Sequence, residues 1–427
     1  AFFEVSGTAA VSVGTSGAFE VDVDWLYNDA DGDGLRDYGS PTYTELSPTF
    51  GERIFLVDDT DLDNALDTGE SLLALRTSKV YATLDSTGAT HTRGKDVIRS
   101  DPDTNGHGTG VAGVLLGGNL INVSGTYTVA NRRIIGVAPG ADLLSADRIN
   151  NPATTYIPWA VNRSADVMLY EFGAWWWEFL DGSSNLEQMM NAESAAGAVQ
   201  VVPAGNLAGS GKEDTQTIAP GAFHVFAANV PAFSLISQFY ATFLWRSPGV
   251  NVTPTLMGPS NLFTVTLPPT TNSAWHYQTP SGSSYGVWGR RQDSVRGTSK
   301  YDVIVHNFGG TAATGSWLFQ LDHSSGAAQT LYAYVSDQNM QWSGGVAWVN
   351  PNETKTTCWP ATADSAIAVG SYSTRSGFDT VSVGDLSSFS SRGSRVDGAR
   401  AVDLAAPGGM FEVAAAESKD VGIGAVG

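Results

Sequence analysis

Apolar residues follow two different patterns along this chain, and the first predicts an α/β architecture. Residues 185–196 suit a helix, residues 198–202 form an apolar strand, and residues 366–372 suit a second buried strand. Strands without polar alternation are typical of parallel sheets that are covered on both faces. Residues 111–116 are small and apolar, and they suit a helix buried between the layers of such a domain.

The second pattern begins at about residue 221, where short alternating runs are divided by turn clusters. The runs lie at residues 261–267, 301–306, 315–321 and 330–335. Short strands separated by turns indicate a β-sandwich or jelly roll. Because a core strand returns afterwards, we predict an inserted β-sandwich. The predicted divisions are a first α/β part over 1–220, with an acidic insertion over about 25–100, the β-sandwich over 221–350 and a second α/β part over 351–427.

An acidic loop follows the apolar run at residues 54–57. From Asp59 the sequence reads D-T-D-L-D-N-A-L-D-T-G-E, with carboxylates at loop positions one, three, five, nine and twelve. Calcium takes several oxygen ligands from a loop with this spacing, and a glutamate at position twelve closes the shell. Apolar runs on both sides favour a β-hairpin over paired helices. The expected calcium ligands are Asp59, Asp61, Asp63, Asp67 and Glu70.

A second acidic loop lies earlier, where residues 29–37 read D-A-D-G-D-G-L-R-D and Ser40 stands at position twelve. Acidic runs are often solvated loops, but two loops with the same alternate spacing favour at least one bound calcium. The predicted role of the metal is structural, since an ion that binds only the folded loop adds to folding stability. The expected ligands in this loop are Asp29, Asp31, Asp33 and Asp37.

The composition limits the classes of partner. The 427 residues include 43 acidic and 23 basic side chains, which gives a net charge of −20. This balance argues against nucleic acids and anionic membranes, because both require basic surfaces. Cys358 is the only cysteine, so no disulfide forms within the chain, which suits a cytosolic protein or a secreted microbial protein that calcium stabilises. No apolar run is long enough to cross a bilayer, and residues 1–4 lack the basic region of a signal peptide.

Residues 105–113 read N-G-H-G-T-G-V-A-G and carry the most specific chemical signal in the chain. A histidine followed at once by small residues suits an imidazole at the start of a closely packed helix. The segment resembles the histidine motif of the subtilisin-like serine peptidases, the subtilases. That resemblance implies that His107 is the general base of a Ser-His-Asp triad and that the substrates are proteins or peptides.

A second segment of the family pattern ends a predicted strand, where residues 198–206 read A-V-Q-V-V-P-A-G-N. An amide at the carboxyl edge of a sheet lies where α/β proteins gather their ligands. Asparagine is also a common turn residue, but its place behind the predicted helix favours the catalytic interpretation. The resemblance implies that Asn206 donates to the oxyanion of the tetrahedral intermediate. Pro203 stands where a small residue is expected.

Further segments are similar to the family in the expected order, at residues 134–144 and at residues 387–408. A subtilase then needs a serine in a Gly-Thr-Ser segment that opens a helix. Residues 409–427 contain no such segment, and their only serine is Ser418. We therefore expect this sequence to be part of a longer protein and to be inactive by itself.

The aspartate of the triad has three possible positions. Asp58 ends the apolar run at residues 54–57, but no glycine follows it as the family pattern requires. Asp22 belongs to a run with a charge in mid-strand, which a buried parallel strand avoids. The third possibility is that the aspartate precedes Ala1, and we favour it, with Asp58 as the runner-up.

The sequence thus predicts a subtilisin-like α/β fold, with helices on both faces of a parallel sheet, an acidic calcium-loop insertion and an inserted β-sandwich domain. The resemblance implies a serine endopeptidase that is extracellular or at the cell surface. The alternative is a calcium-stabilised binding or adhesion protein built on an inactive peptidase scaffold. Tyr170 and Glu171 replace the family's small pocket residue, and they are expected to narrow the pocket or give it an acid. Oligomeric state and specificity stay open.

Overall fold

The structure is a computed structural model in which two compact units are distinguished, residues 1–160 with 410–427 and residues 161–409. It describes residues 9–11, 25–29, 32, 54–58, 60–61, 63, 65–74, 80–85, 87–92, 107–116, 136–138, 140–146, 154–270, 272–324, 326–374, 380–409, 412–413 and 424–425. Among these residues, no helix is long and apolar enough to cross a membrane.

The first unit contains an antiparallel sheet in which four strands lie in chain order. Its strands are β1 (Ala9–Val11), β2 (Trp25–Tyr27), β3 (Ile54–Asp58) and β4 (Ser71–Ala74). Strands β3 and β4 pair from Phe55 with Ala74 to Asp58 with Ser71. The predicted hairpin around the first acidic loop is therefore confirmed.

A second sheet of this unit combines both strand directions. Its strands are β5 (Val80–Leu84), β6 (Thr90–Thr92) and β7 (Leu143–Ala146). Strand β5 pairs antiparallel with β6 and parallel with β7. Helix α1 (His107–Leu116) precedes β7, helix α2 (Tyr156–Val161) follows it, and two short antiparallel strands, Glu412–Val413 and Gly424–Ala425, complete the described elements.

The second unit begins with a parallel sheet of four strands. They are β8 (Val167–Leu169), β9 (Val199–Pro203), β21 (Ala366–Ser373) and β22 (Leu404–Gly409), in the spatial order β22-β21-β9-β8. Helix α3 (Asn185–Ala195) starts with a capping box, in which the Ser184 side chain accepts from the Glu187 amide and the Glu187 carboxylate accepts from the Ser184 amide. Met168, Gln200 and Ala368 are buried on one face of this sheet.

On the opposite face of the parallel sheet, several of the described side chains are exposed. Pairing places Val167 beside Val199, Val201 beside Ile367 and Val369 beside Leu404. Because side chains alternate between faces, these residues share one face. Val167 is 60% exposed, Val199 40%, Ile367 37% and Leu404 49%. A parallel sheet normally has both faces covered, and the expectation of helices on both faces is met only in part among the described residues.

Two antiparallel sheets lie between β9 and β21 in the sequence. The six-stranded sheet has the order β10-β19-β12-β17-β16-β15, and the five-stranded sheet has the order β14-β13-β18-β11-β20. The strands are β10 (Glu213–Ile218), β11 (Phe223–Val230), β12 (Gln238–Trp245), β13 (Val252–Met257), β14 (Thr264–Thr266), β15 (His276–Gln278), β16 (Tyr285–Asp293), β17 (Ser299–Asn307), β18 (Gly315–His323), β19 (Gln329–Asp337) and β20 (Ala347–Trp348).

One hydrophobic core takes side chains from both antiparallel sheets. The Phe243 ring on β12 lies 5.5 Å from the Phe226 ring on β11 and 5.7 Å from the Phe319 ring on β18. Strand β10 belongs to this region, since Glu213–Ile218 pairs with β19. The antiparallel strands therefore begin before residue 221, where sequence analysis placed the boundary. Apolar and polar residues alternate only weakly along the edge strand β10, so its sequence does not indicate a strand. Its partner β19 is also distant in sequence.

Candidate active site and acidic loop

His107 is the first residue of α1 and is exposed. The following turn is built from small residues, and Gly110 is buried. At the other end of the helix, the amides of Val137 and Ala138 donate to the carbonyl oxygens of Val114 and Leu115 at 2.9 and 2.7 Å. These bonds satisfy carbonyl groups that a helix end leaves without partners. The imidazole thus stands at the start of an anchored helix.

Asn206 follows strand β9 of the parallel sheet and is half-buried. The Ala204 amide still donates to the Val369 carbonyl of β21 at 2.8 Å, so the sheet extends up to this point. Gly205 has a φ of +108°, and a Cβ there would lie 2.5 Å from the Cys358 sulfur. The position before Asn206 therefore requires glycine for both conformation and space. His107 lies in the first unit and Asn206 in the second.

The aspartate candidates differ in their surroundings. Asp58 ends β3, which pairs antiparallel on both sides rather than parallel, and Asp22 lies outside the described residues. Asp85, which sequence analysis did not consider, directly follows β5. Its Oδ1 atom accepts from the amides of Thr87 and Ala89 at 2.9 and 2.8 Å. Asp85 thus shapes the turn between β5 and β6.

The first acidic loop brings three predicted ligands together. The carboxylates of Asp61, Asp63 and Asp67 are exposed, and each offers an oxygen atom within 4.8 Å of the others. The Ala65 amide donates to Asp63 Oδ1 at 2.7 Å, which holds the loop curved around these oxygens. A cluster of carboxylate oxygens of this size is a donor set that suits calcium. Asp59 lies outside the described residues.

Glu70 has a different environment from the three aspartates. Its carboxylate accepts from the amides of Thr60 and Asp67 at 2.7 and 3.0 Å. The hydrogen bond from Asp67 is the largest influence on this group, and the pKa of Glu70 is lowered from its ordinary value. Glu70 therefore closes the loop through backbone donors. In the second acidic loop, Asp29 Oδ1 accepts from the Gly32 amide at 2.9 Å, while Asp31, Asp33 and Asp37 lie outside the described residues.

Tyr170 and Glu171 follow strand β8 and point in different directions. The buried Tyr170 hydroxyl donates to Gln200 Oε1 at 2.7 Å, and burial raises the pKa of Tyr170. Its side chain is thus buried in the sheet interior, and the pocket role of Tyr170 and Glu171 stays a prediction. Glu171 is exposed. Trp175 is a packing residue, since its Nε1 atom donates to the Val335 carbonyl at 2.8 Å and its ring lies 4.8 Å from that of Trp342.

Sequence analysis missed two residues that contact the Asn206 segment. Cys358 and Ser391 are both buried against Gly205. Ser391 lies in the Ser-Ser-Phe-Ser-Ser-Arg-Gly stretch that resembles the family, and this stretch was the available signal. Its contact with the Asn206 segment spans 184 positions, which no local pattern reveals.

Comparison with known proteins agrees with these features. The sequence model of the subtilase family matches residues 58–300 and 288–425. Subtilisin DY of Bacillus licheniformis is 32% identical over 177 residues, which cover 38% of this chain and 57% of that protein. A thermostable alkaline protease of Halalkalibacterium halodurans is 34% identical over 128 residues, which cover 28% of this chain and 31% of that protein.

The fold has a similar solved structure as well. The CspB protease of Clostridium perfringens superposes with a TM-score of 0.62 at 17% identity, covering 82% of this chain and 73% of that chain. At this identity the likeness concerns the fold, which is subtilisin-like with mixed sheets. The matched regions span only 57% and 31% of the two curated relatives. Because the family match extends over most of the sequence, the chain belongs to the subtilase family.

Proposed function

We propose that this chain is part of a serine endopeptidase and supplies its general base and its oxyanion donor. The observation that carries the proposal is the position of Asn206, directly after a parallel strand and inside the region that matches the subtilases. Ligands of α/β proteins collect at this edge of the sheet. The side-chain amide of Asn206 is a neutral donor, which suits an oxyanion that forms only during the reaction.

The roles of the two residues follow from their chemistry. His107 accepts the proton of the nucleophilic serine and returns it to the leaving amine. Asn206 stabilises the negative charge on the carbonyl oxygen of the tetrahedral intermediate. The antiparallel pairing of β3 argues against Asp58 as the orienting aspartate. Asp85 suits this role better, because it directly follows β5, which pairs parallel with β7 in the unit that contains His107.

The acidic loop is proposed as a structural calcium site. Asp61, Asp63 and Asp67 would provide the carboxylate ligands, and Asp59 would complete the set that the loop spacing predicts. Bound calcium would supply positive charge where three carboxylates converge. Glu70 supports the site indirectly, since it holds the Thr60 and Asp67 amides. The second loop, with Asp29, Asp31, Asp33 and Asp37, is proposed as a further site of the same kind.

The two antiparallel sheets are proposed to be a β-sandwich inserted into the peptidase domain. Strands β9 and β21 are neighbours in the parallel sheet although both antiparallel sheets lie between them in sequence. The side chains that the two sheets contribute to one core support this description. We further propose protein or peptide substrates and an extracellular location, which the acidic charge and the proposed calcium sites support.

Peptide hydrolysis tests the proposed activity. The full-length gene product should cleave peptides, and His107→Ala should abolish cleavage, since removing a triad residue typically costs about 10⁴-fold or more in kcat. His276→Ala is the matched control, because His276 lies on β15 of the six-stranded sheet and should leave the rate unchanged. A full-length product that cleaves no peptide but binds a macromolecular surface in a calcium-dependent manner would favour the binding-protein alternative.

A further inference from the structure

Ser391 hydrogen-bonds both peptide groups that flank Asn206. The Ser391 amide donates to the Gly205 carbonyl at 2.9 Å, and the Ser391 Oγ atom accepts from the Leu207 amide at 3.0 Å. Ser391 is 1% exposed, so water does not compete for either bond. A single buried residue, through its amide and its hydroxyl, therefore fixes the backbone on both sides of the asparagine.

The surrounding contacts leave this backbone little freedom to move. The Cys358 amide donates to the Ala204 carbonyl at 3.0 Å, and the Ala208 amide donates to the Phe389 carbonyl at 3.2 Å. Leu207 is fully buried. The segment from Ala204 to Ala208 is thus held against the 389–391 segment on one side and against Cys358 on the other.

This arrangement bears on the oxyanion role of Asn206. A preorganised donor is effective because it already lies where charge will develop, so that no reorganisation accompanies the reaction. Fixed peptide groups on both sides of Asn206 restrict its Cα position and leave only the side-chain torsions to adjust. Loss of the Ser391 hydroxyl would leave the buried Leu207 amide without its acceptor, and the segment would shift to recover a partner.

We propose that Ser391 is a positioning residue that holds Asn206 in the geometry required for oxyanion stabilisation. The inference rests on the proposed function, because it assigns Ser391 to the same step of peptide hydrolysis. Ser391 contacts no substrate in this account. It acts through the Gly205 carbonyl and the Leu207 amide.

The adjacent residue provides a matched control. Ser390 is also 1% exposed, and its Oγ atom accepts from the Ser371 amide of β21 at 2.9 Å. Ser390→Ala and Ser391→Ala therefore each remove one buried hydroxyl that accepts one backbone amide. The two variants should lose similar stability, about 1–3 kcal/mol for a buried donor left unsatisfied. Only Ser391→Ala should affect Asn206.

Steady-state kinetics of the full-length protein separate a positioning role from a structural one. Ser391→Ala should lower kcat by about 10–100-fold, as small misplacements of catalytic groups do, with KM nearly unchanged. Ser390→Ala should retain kcat although its melting temperature falls equally. In the Asn206→Ala background, Ser391→Ala should cause little further loss of kcat, because the group it positions is already absent. Hydrogen exchange at the Leu207 amide should accelerate in Ser391→Ala and not in Ser390→Ala.

The outcomes distinguish this inference from the proposed function. Equal kcat losses in the two serine variants, or fully additive losses in the Asn206→Ala background, would overturn the positioning role while leaving a peptidase in place. A wild-type protein without activity, or an Asn206→Ala variant with unchanged kcat, would instead contradict the proposed function of Asn206. That result would remove the positioning role of Ser391 as well.

Discussion

Aspartates occur in two opposite electrostatic settings in this molecule. In the β3–β4 hairpin, Asp61, Asp63 and Asp67 are exposed and place their carboxylates within 4.8 Å of one another. In the six-stranded sheet, Asp302 is fully buried, and Lys300 and Arg290 each place a nitrogen 3.2 Å from its Oδ2 atom. The Thr242 hydroxyl donates to the other oxygen of Asp302 at 2.9 Å.

The difference concerns where the compensating positive charge comes from. Asp302 receives it from side chains of neighbouring strands, so this compensation is a permanent part of the fold. In the proposed calcium site, the three loop carboxylates would receive it from a metal ion that comes from solution. The stability of the hairpin loop should therefore depend on calcium in the solvent. The stability around Asp302 should instead depend on substitution of the residues in the cluster.

The largest expected effect is at Asp302. Asp302→Asn keeps the size of the side chain but leaves the buried Lys300 and the partly buried Arg290 without their counter-charge. Breaking a buried pair in this way typically costs about 3–5 kcal/mol. Asp293→Asn is the control, because Asp293 pairs with Arg291 at 3.4 Å but its side chain is 43% exposed. That change should cost no more than about 1 kcal/mol. Urea unfolding measures both, and equal losses would contradict the distinction between a buried aspartate and a partly exposed one.

Calcium removal should have the next largest effect. A chelator should lower the melting temperature, since a ligand present at 100 times its dissociation constant contributes about 2.7 kcal/mol. Combined replacement of Asp61, Asp63 and Asp67 by asparagine should abolish the calcium response and leave the apo protein as stable as before or more so. Differential scanning calorimetry with and without calcium is the measurement. An unchanged melting temperature on chelation would contradict the metal assignment.

A smaller effect is expected at Glu213, a buried carboxylate whose hydrogen-bond donors are two backbone amides and the Thr215 hydroxyl. It accepts from the Thr354 and Lys355 amides, and burial raises its pKa from 4.5 to about 7. A raised pKa means that its stabilising contribution is fully present below pH 4.5 and is lost as pH rises through about 7. Glu213→Gln should therefore gain about 1–2 kcal/mol relative to wild type at pH 8. If Glu213→Gln stabilises the protein no more at pH 8 than at pH 4, the direction of this pH dependence is contradicted.

Local patterns predicted the elements that depend on local signals. The β3–β4 hairpin, helix α3 and the apolar strands β9 and β21 could each be read from neighbouring residues. Spacing in the acidic loop also indicated which carboxylates converge. Asp61, Asp63 and Asp67 do so because alternate residues of a curved loop point toward its centre.

Contacts between distant segments could not be predicted from the sequence. Glu70 fits the spacing of a metal ligand, but its carboxylate accepts hydrogen bonds from the Thr60 and Asp67 amides. Ser391 reaches Leu207 across 184 positions, and strand β10 pairs with a strand more than a hundred residues later. Such pairings depend on the three-dimensional packing of the whole unit and leave no periodic signal in either segment.

Covalent labelling tests most directly the central claim that His107 and Asn206 belong to the active site of a serine peptidase. We expect a serine-directed phosphonate to label one serine of the full-length gene product, as located by mass spectrometry. His107→Ala should abolish that labelling. A full-length product without a labelled serine, or labelling that persists without His107, would contradict the account.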